Sequence, residues 1–313
     1  MKLASETIHQ NEAWNRASPI LSVLTPFYRD DPRDLLKILE REAASLGGRV
    51  EFILLDDGGG DRDLTAAVAG AVRSLSTPAQ LVALSGNEGR AKGRNRLASH
   101  GRARHLLFLD SDMAPDAPDF LRRYIEIIDA NDAAVVFGGF SFKQIEAGPA
   151  HALHVAIASR AECLPARQRV LRPEKYVFTS NLLVRRDVFE SEAFDESFTG
   201  WGWEDVEWGM RVAARYGIVH IDNAATHLGL DTAAVLAGKY EQSAGNFARV
   251  VASHPEIVTT YPSYRMARAL RRLPARDLLR SALRWTAVGS HAPLIARIFA
   301  MKAYRAALYA EVI

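Results

Sequence analysis

The chain has 313 residues, 48% hydrophobic and 24% charged, the balance of a soluble globular protein with room for one large domain and an appendage or for two small domains. A net charge of +2 singles out no partner, and the lone cysteine, Cys163, excludes an intrachain disulfide framework. The charge is uneven: residues 262–313 carry ten Lys/Arg against two acids, +8, and the rest of the chain carries 29 against 35, −6.

In chain order, Ile20–Thr25 is a short apolar run that reads as a buried strand. Asp31-Pro32 makes a helix start, and Leu35, Leu36, Leu39 and Ala43 recur at helical spacing. Val50–Leu55 is a second strand, ending in Asp56-Asp57-Gly58-Gly59-Gly60. Asp61 can cap a helix running to about Ser74. Gln80–Leu84 is a third strand, Arg90–His100 a helix, and His105–Leu109 a fourth strand ending at Asp110-Ser111-Asp112. This alternation predicts an α/β fold with a mostly parallel sheet and helices on both faces. Ligands in such sheets bind beyond the carboxyl ends of the strands. Farther on, Ala133–Phe140, Val177–Val184 and Ile218–Asp222 read as strands, Asp205–Tyr216 and Thr232–Ala252 as helices, and residues 141–175 are ambiguous. A boundary is expected near Pro255–Pro262, where the acidic body gives way to the basic tail. The expected organisation is an N-terminal extension (1–17), a catalytic domain (18–254) and a basic helical tail (255–313).

Several constellations carry chemistry. Asp110 and Asp112, two residues apart at a strand end, can both face a divalent cation, for which carboxylate oxygens are suited; a solvated turn with a helix cap would look the same. Gly200-Trp201-Gly202-Trp203-Glu204-Asp205 sets two indoles beside two acids. The indoles suit the apolar faces of sugar rings, and Glu204 or Asp205 could take the proton of an attacking hydroxyl. Core-filling tryptophans and helix-capping acids are the other reading, and both can hold together. Asp57 can accept hydrogen bonds from a base or ribose, or simply close an acidic turn. Gly86-Asn87-Glu88-Gly89-Arg90-Ala91-Lys92-Gly93-Arg94 could approach a diphosphate, or be a Gly-rich turn with solvated basic residues. Its spacing is neither a P-loop nor the dinucleotide fingerprint. His227 is a candidate third metal ligand, although a lone histidine is more often structural.

In the tail, Arg276, Arg280 and Arg284 recur every four residues against Leu278, Leu279, Ala282 and Leu283. Such an amphipathic helix either packs on the body or lies on an anionic membrane surface. No nucleic-acid partner is expected, because no recognised binding module accompanies the charge. Met1–Arg16 lacks the apolar core of a signal peptide, and no run of 18 apolar residues exists. A cytoplasmic protein is therefore expected, with peripheral attachment to the inner face of the membrane as the tail's second reading.

Taken in order, the strand ending Thr-Pro-Phe-Tyr, then LLDDGGG, GNEGRAKGRN, FLDSD and GWGWEDVEW resemble the family-two glycosyltransferases with a GT-A fold, over roughly Ile20–Ala252. The Trp-Gly-Trp-Glu-Asp element is similar to that of chondroitin-polymerase-type enzymes and β-1,4-galactosyltransferases. The resemblance implies an inverting, metal-dependent enzyme. It would move a hexose or N-acetylhexosamine from a UDP-sugar to a hydroxyl of a glycan or glycolipid, in bacterial-type polysaccharide assembly. It implies that Thr25, Pro26 and Phe27 line the nucleotide pocket and that Asp57 meets the uracil or ribose. Asn87, Lys92 and Arg94 would lie near the donor, with Asp110 and Ser111 on the ribose or metal side. Asp112, His227 and Asp110 would hold Mn2+ or Mg2+. Trp201, Trp203 and Glu204 would meet the sugars, and Asp205 would be the base. Gly59 departs from the serine common at that place in relatives. A catalytically degenerate sugar- or nucleotide-binding scaffold, or a sugar nucleotidyltransferase, are the alternative readings.

Overall fold

The computed structural model describes residues 4–313. They form two compact units. The first comprises the chain to Ile145, Cys163–Glu196 and Trp208–Gly229; the second comprises Glu146–Glu162, Ser197–Glu207 and Leu230–Ile313.

The first unit is built on β1 (Glu6–Gln10), β2 (Leu21–Phe27), β3 (Val50–Asp56), β4 (Ala79–Leu84), β5 (His105–Phe108), β6 (Met113–Pro115), β7 (Val135–Phe137), β8 (Phe140–Ser141), β9 (Leu182–Arg185), β10 (Val219–His220) and β11 (Ala225–His227). Eight of these make one sheet in the order β1-β4-β3-β2-β5-β9-β7-β10; β6-β11-β8 make a second, small one. The central strands β4, β3, β2 and β5 are parallel, as the alternation of elements predicts. Successive residues of β3 serve opposite faces. Phe52 and Leu54 join a core with Leu35, Leu36 and Leu39 of the helix Arg33–Ala43 and with Val68 and Val72 of the helix Arg62–Ser74. Ile53 and Leu55 join a second core with Leu97 of the helix Arg90–His100 and with Trp208. A strand covered on both faces must be apolar throughout, which is why these runs do not alternate. Each such side chain contributes roughly 1.5–3 kcal/mol by leaving water. Asp61 caps its helix as expected, accepting from the Leu64 N–H at 3.0 Å.

Three expectations change. Glu6–Gln10, read as part of a polar leading segment, is an edge strand antiparallel to β4. The strand expected over Ala133–Phe140 is two, β7 in the large sheet and β8 in the small one. Gly138-Gly139 divides them: Gly139 has φ +89°, and a Cβ on Gly138 would lie 2.2 Å from the Tyr124 hydroxyl. Of Val177–Val184 only the last residues are extended, after a 3-10 turn at Thr179–Asn181. Strands β1 and β9 run antiparallel to their neighbours, so the sheet is mixed.

The second unit is helical: Ala152–Ala161, Ala233–Ser253, Pro255–Val258, Pro262–Leu270, Arg276–Val288 and Leu294–Tyr309. Thr232 caps the longest helix, accepting from the Val235 N–H at 3.4 Å. The tail is integral to this unit. Tyr309 stacks on Phe247 with ring centroids 4.0 Å apart, and the guanidinium of Arg305 lies 5.1 Å from the Tyr240 ring centre. Of the arginines at four-residue spacing, Arg280 pairs with Asp277 at 3.0 Å and with Glu311, and Arg284 pairs with Glu241 at 3.3 Å. Among the described residues no helix is long and apolar enough to cross a membrane.

Candidate functional site

A cavity of about 160 Å3 opens in the first unit at the carboxyl ends of β2, β3 and β5. Pro26, Phe27 and Tyr28 line it from β2, Asp57 from β3, and Asp110, Ser111 and Asp112 from β5. A larger concavity of about 420 Å3 lies around Glu12, Arg16, Gly48 and Arg73, at the opposite strand ends, and none of the strand-end acids reaches it. Pro26 lies beyond the last residue of β2 that pairs with β5, so its missing N–H costs that ladder nothing.

Asp57 is buried and anchors the turn that leads into the helix Arg90–His100. Its carboxylate accepts from the Glu88 N–H at 2.8 Å, the Gly89 N–H at 3.1 Å and the Asn87 amide at 3.0 Å. Burial pushes this carboxyl up to about 6, against the pull of the two backbone donors. The two loops approach closely: a Cβ on Gly58, at φ +66°, would lie 2.3 Å from the Gly86 carbonyl carbon. Gly59 is similarly confined, with a Cβ there 3.1 Å from the Arg29 nitrogen, which gives a physical reason for glycine in place of serine. Asp56 turns away from the cavity, accepting from the Gly59 N–H at 3.0 Å and from the Thr65 hydroxyl.

The acids after β5 divide. Asp110 receives the buried Arg94 guanidinium at 2.6 Å. Asp112 faces His227, with Nε2 to Oδ2 at 3.2 Å. The small sheet makes that meeting: β6 follows directly on Asp112 and pairs antiparallel with β11, with His227 opposite Met113. The Leu228 N–H donates to the Asp112 carbonyl at 2.8 Å and closes the end of the ladder. Gly229 leaves room for the carboxylate, since a Cβ there would lie 2.2 Å from Asp112 Oδ2. Burial opposes ionisation of Asp112, but the His227 hydrogen bond and charge outweigh it and hold the carboxyl below its usual value.

One carboxylate oxygen at the cavity wall, with an imidazole nitrogen this close to it, fits a hard divalent cation that takes its other ligands from water and phosphate. Among the described residues no group of three His, Cys, Asp or Glu side chains gathers as a metal cluster. Asp110, expected on the metal side, has one oxygen occupied by Arg94.

Other expected residues scatter. Thr25 is buried within β2. Asn87 holds Asp57, and Lys92 reaches Glu88 at 3.1 Å rather than lining the cavity. Arg96 and Lys92 hold Glu88 down to about 2. Tyr28, Asp30, Leu55, Gly89, Arg90 and Gly93 also line the cavity and are not among the site residues expected from sequence. Gly89, Arg90 and Gly93 lie inside the glycine-rich run, and a glycine directly before the expected helix start is the sequence signal that points to them.

Trp201, Trp203, Glu204 and Asp205 belong to the second unit. Trp203 adopts φ +78° directly after Gly202, which like Gly200 is left-handed. It is held there by packing: its ring lies 5.0 Å from that of Phe247, and its indole N–H donates to the Tyr309 hydroxyl at 3.0 Å. Asn246 donates to the carbonyls of Thr199 and Gly202, each at 2.9 Å. Trp203 is thus a non-glycine residue held at a positive φ by the side chains around it. Trp201 lies 6.0 Å from the Tyr240 ring, with the Lys239 ammonium 5.8 Å from its own centre. Glu204 is buried and Asp205 half-buried at the start of the helix Glu204–Tyr216.

Comparison with known proteins places this architecture. The mannosyltransferase PcManGT from Pyrobaculum calidifontis, in complex with GDP-Man and Mn2+, is similar at a TM-score of 0.56 and 14% identity, over 93% of this chain and 86% of that one. S. aureus TarS 1–349 in complex with UDP is similar at 0.51 and 14%, over 91% of this chain and 89% of that one. Glucosyl-3-phosphoglycerate synthase from Mycobacterium tuberculosis, in complex with Mn2+, UDP and glucosyl-3-phosphoglycerate, is similar at 0.50 and 16%, over 75% and 80%. No curated protein matches the sequence. At these identities the likenesses concern the fold, which is the GT-A fold expected from the strand-end motifs. The family model "Glycosyl transferase family 2" matches residues 22–192, more than half of the chain, and the chain belongs to that family.

Proposed function

We propose that the protein transfers a hexose or N-acetylhexosamine, with inversion, from a nucleoside-diphosphate sugar to a hydroxyl of a glycan or glycolipid. UDP is the favoured nucleotide. The observation that carries the donor side is Asp112, which lines the cavity together with Gly89 and Arg90 at the N-terminus of the helix Arg90–His100 and pairs with His227. Three structural relatives whose complexes hold GDP-Man or UDP, two of them with Mn2+, support the same reading.

Asp112 and His227 would hold Mn2+ or Mg2+, which when bound neutralises charge on the leaving diphosphate. The protein's own groups do the rest. The helix N-terminus at Gly89 and Arg90 favours the anionic diphosphate through its N–H groups and dipole. Pro26, Phe27 and Tyr28 give the base an apolar wall. Asp205 is the base, chosen over Glu204 because it is the less buried of the two. The acceptor hydroxyl oxygen bonds to the anomeric carbon as the bond from that carbon to the diphosphate oxygen breaks. The nucleoside diphosphate leaves with that electron pair, and the hydroxyl proton goes to Asp205. Trp203 positions this segment, and Trp201 and Glu204 contribute to the sugar sites. A glycolipid acceptor would place the enzyme at the inner face of a membrane.

The test is calorimetric binding of a panel of nucleoside diphosphates, with and without Mn2+, to the wild type and to Asp112→Asn. Metal-dependent binding of one nucleotide, weakened in the variant on the order of 10–100-fold, is expected. Absence of any nucleotide binding would replace this reading with a degenerate scaffold. Asp205→Asn is expected to lower turnover about 10²–10⁴-fold with donor binding intact, and undiminished turnover removes Asp205 from the role.

A further inference from the structure

The second unit carries an unusual surface between Arg265 and Trp285. Arg265, Arg268, Arg271, Arg272 and Arg276 are all exposed, and no acid occurs from Ile257 to Arg276. The helix Pro262–Leu270 buries only Ala267 and the helix Arg276–Val288 only Ala287, so both lie thinly on their unit. Large apolar side chains are interleaved with the arginines. Leu278 is 75% exposed and Trp285 is 67% exposed. Seven residues apart, close to two turns, they share one side of the helix. Met266 and Leu273 are exposed in the same stretch. On the next helix Ile295 and Phe299, one turn apart, are 79% and 66% exposed.

Exposed Leu and Trp at this density mark a surface that something covers. The charge says what. An acid-free run of arginines calls for an anionic partner, and apolar side chains among them call for a partner that also has an apolar interior. A bilayer with anionic headgroups offers both, whereas a nucleic acid would leave Leu278 and Trp285 unsatisfied. Of the three arginines expected from sequence to face that surface, Arg276 is exposed but Arg280 and Arg284 are engaged within the protein. Arg280 is held by Asp277 at 3.0 Å and by Glu311, and Arg284 by Glu241 at 3.3 Å. The cationic face lies instead on Arg265–Arg276, one helix and one turn earlier.

We infer that Arg265–Trp285 seats the protein on an anionic lipid surface, with Arg265, Arg268, Arg271, Arg272 and Arg276 at the phosphates and Leu278 and Trp285 in the headgroup–acyl boundary. This deepens the membrane part of the proposal above and rests on it, while needing neither donor nor acceptor.

The experiment is sedimentation of the full-length protein with vesicles of phosphatidylcholine alone, or of equal parts phosphatidylcholine and phosphatidylglycerol. The wild type is expected to sediment with the anionic vesicles, to stay in solution with the neutral ones, and to be released by high salt. The variant Arg268→Gln/Arg271→Gln/Arg272→Gln/Arg276→Gln should lose about fivefold in partitioning per arginine at low salt. Leu278→Ser/Trp285→Ser should lose at least about tenfold with the arginines intact. Arg280→Gln, by contrast, should partition as the wild type does. Failure of the wild type to sediment, or equal partitioning by all variants, overturns the inference. So does tight binding to heparin or RNA that Leu278→Ser/Trp285→Ser leaves untouched, since the patch would then serve a polyanion. Unchanged circular dichroism keeps unfolding out of the result. Nucleotide calorimetry on the same variants separates this outcome from the donor-site reading, because it should match the wild type whichever way the vesicles fall.

Discussion

Two pairs of aspartates stand at the ends of β3 and β5, the strands that flank β2, and they do different work. After β3, Asp56 and Asp57 both spend their oxygens inside the protein: Asp56 on Gly59 and Thr65, Asp57 on Asn87, Glu88 and Gly89. After β5, Asp110 is likewise committed, to Arg94, but Asp112 meets an imidazole at the cavity wall. The local sequence is nearly the same in each case. What differs is what the fold brings alongside. The first pair has a loop folded back over it, rich in N–H donors. The second has β11 laid against the strand that follows it. A strand-end carboxylate is thus an offer, and the partner that arrives from elsewhere decides whether it latches a loop or holds a ligand.

The strongest way to break that division is at Asp110. Asp110→Ala leaves the Arg94 guanidinium buried without its carboxylate, and stability should fall by about 3–5 kcal/mol in chemical denaturation. Adding Arg94→Met should restore part of the loss, because the orphaned charge is gone. Asp112→Asn should change stability far less while abolishing metal dependence. If Asp110→Ala instead costs nothing, Asp110 is free to serve the metal side as the sequence expectation had it.

Asp57 gives the next effect, and its sign is diagnostic. Its folded-state pKa, about 6, lies above the ordinary 3.8, so the fold binds this proton more tightly than the unfolded chain does. The resulting contribution is fully present below the unfolded value and is lost as pH rises through about 6. Relative to Asp57→Asn, the wild type should therefore gain on the order of 3 kcal/mol between about pH 7 and about pH 4. Taking the difference between the two proteins cancels other titrating groups, such as His220, which burial depresses to about 4 and which pulls the opposite way. A flat difference would mean that the loop does not desolvate Asp57.

Much of the first unit could be read from sequence because its elements are locally determined. β2, β3 and β4 are continuous apolar runs bounded by polar turns, and Asp61 and Thr232 sit where caps belong. Glu6–Gln10 could not be read, because its exposed residues do not alternate and only the open edge of β4 makes it a strand. The same division runs through the site. That acids would stand at the strand ends was visible, as was the Trp-Gly-Trp-Glu-Asp segment. Which acid would be consumed was not, because Arg94 and His227 are placed by the helix after β4 and by the β6–β11 pairing. Lys92 shows the limit most simply: one turn of helix separates it from Glu88, so it pairs there. In sequence Trp203 reads both as a core residue and as a sugar platform, and its N–H bond to the Tyr309 hydroxyl ties it to the helical core.

The finest test asks whether the contact between Asp112 and His227 is held by shape. A Cβ on Gly229 would lie 2.2 Å from Asp112 Oδ2 and 3.5 Å from His227 Cε1. The Asp112 backbone cannot retreat easily, because its carbonyl accepts the Leu228 N–H at 2.8 Å. In Gly229→Ala the carboxylate must therefore rotate, and rotation takes it off the imidazole. Mn2+-dependent nucleotide affinity should fall about tenfold with the melting temperature little changed. Gly70→Ala, on the helix Arg62–Ser74 and outside the cavity lining, is the control, since its Cβ would meet nothing nearer than the Arg73 guanidinium at 3.9 Å. Loss in the first variant without loss in the second would tie donor affinity to the orientation of one carboxylate. Equal affinity in both would mean that Asp112 finds its partner without help from Gly229, and that the β6–β11 pairing alone sets the geometry.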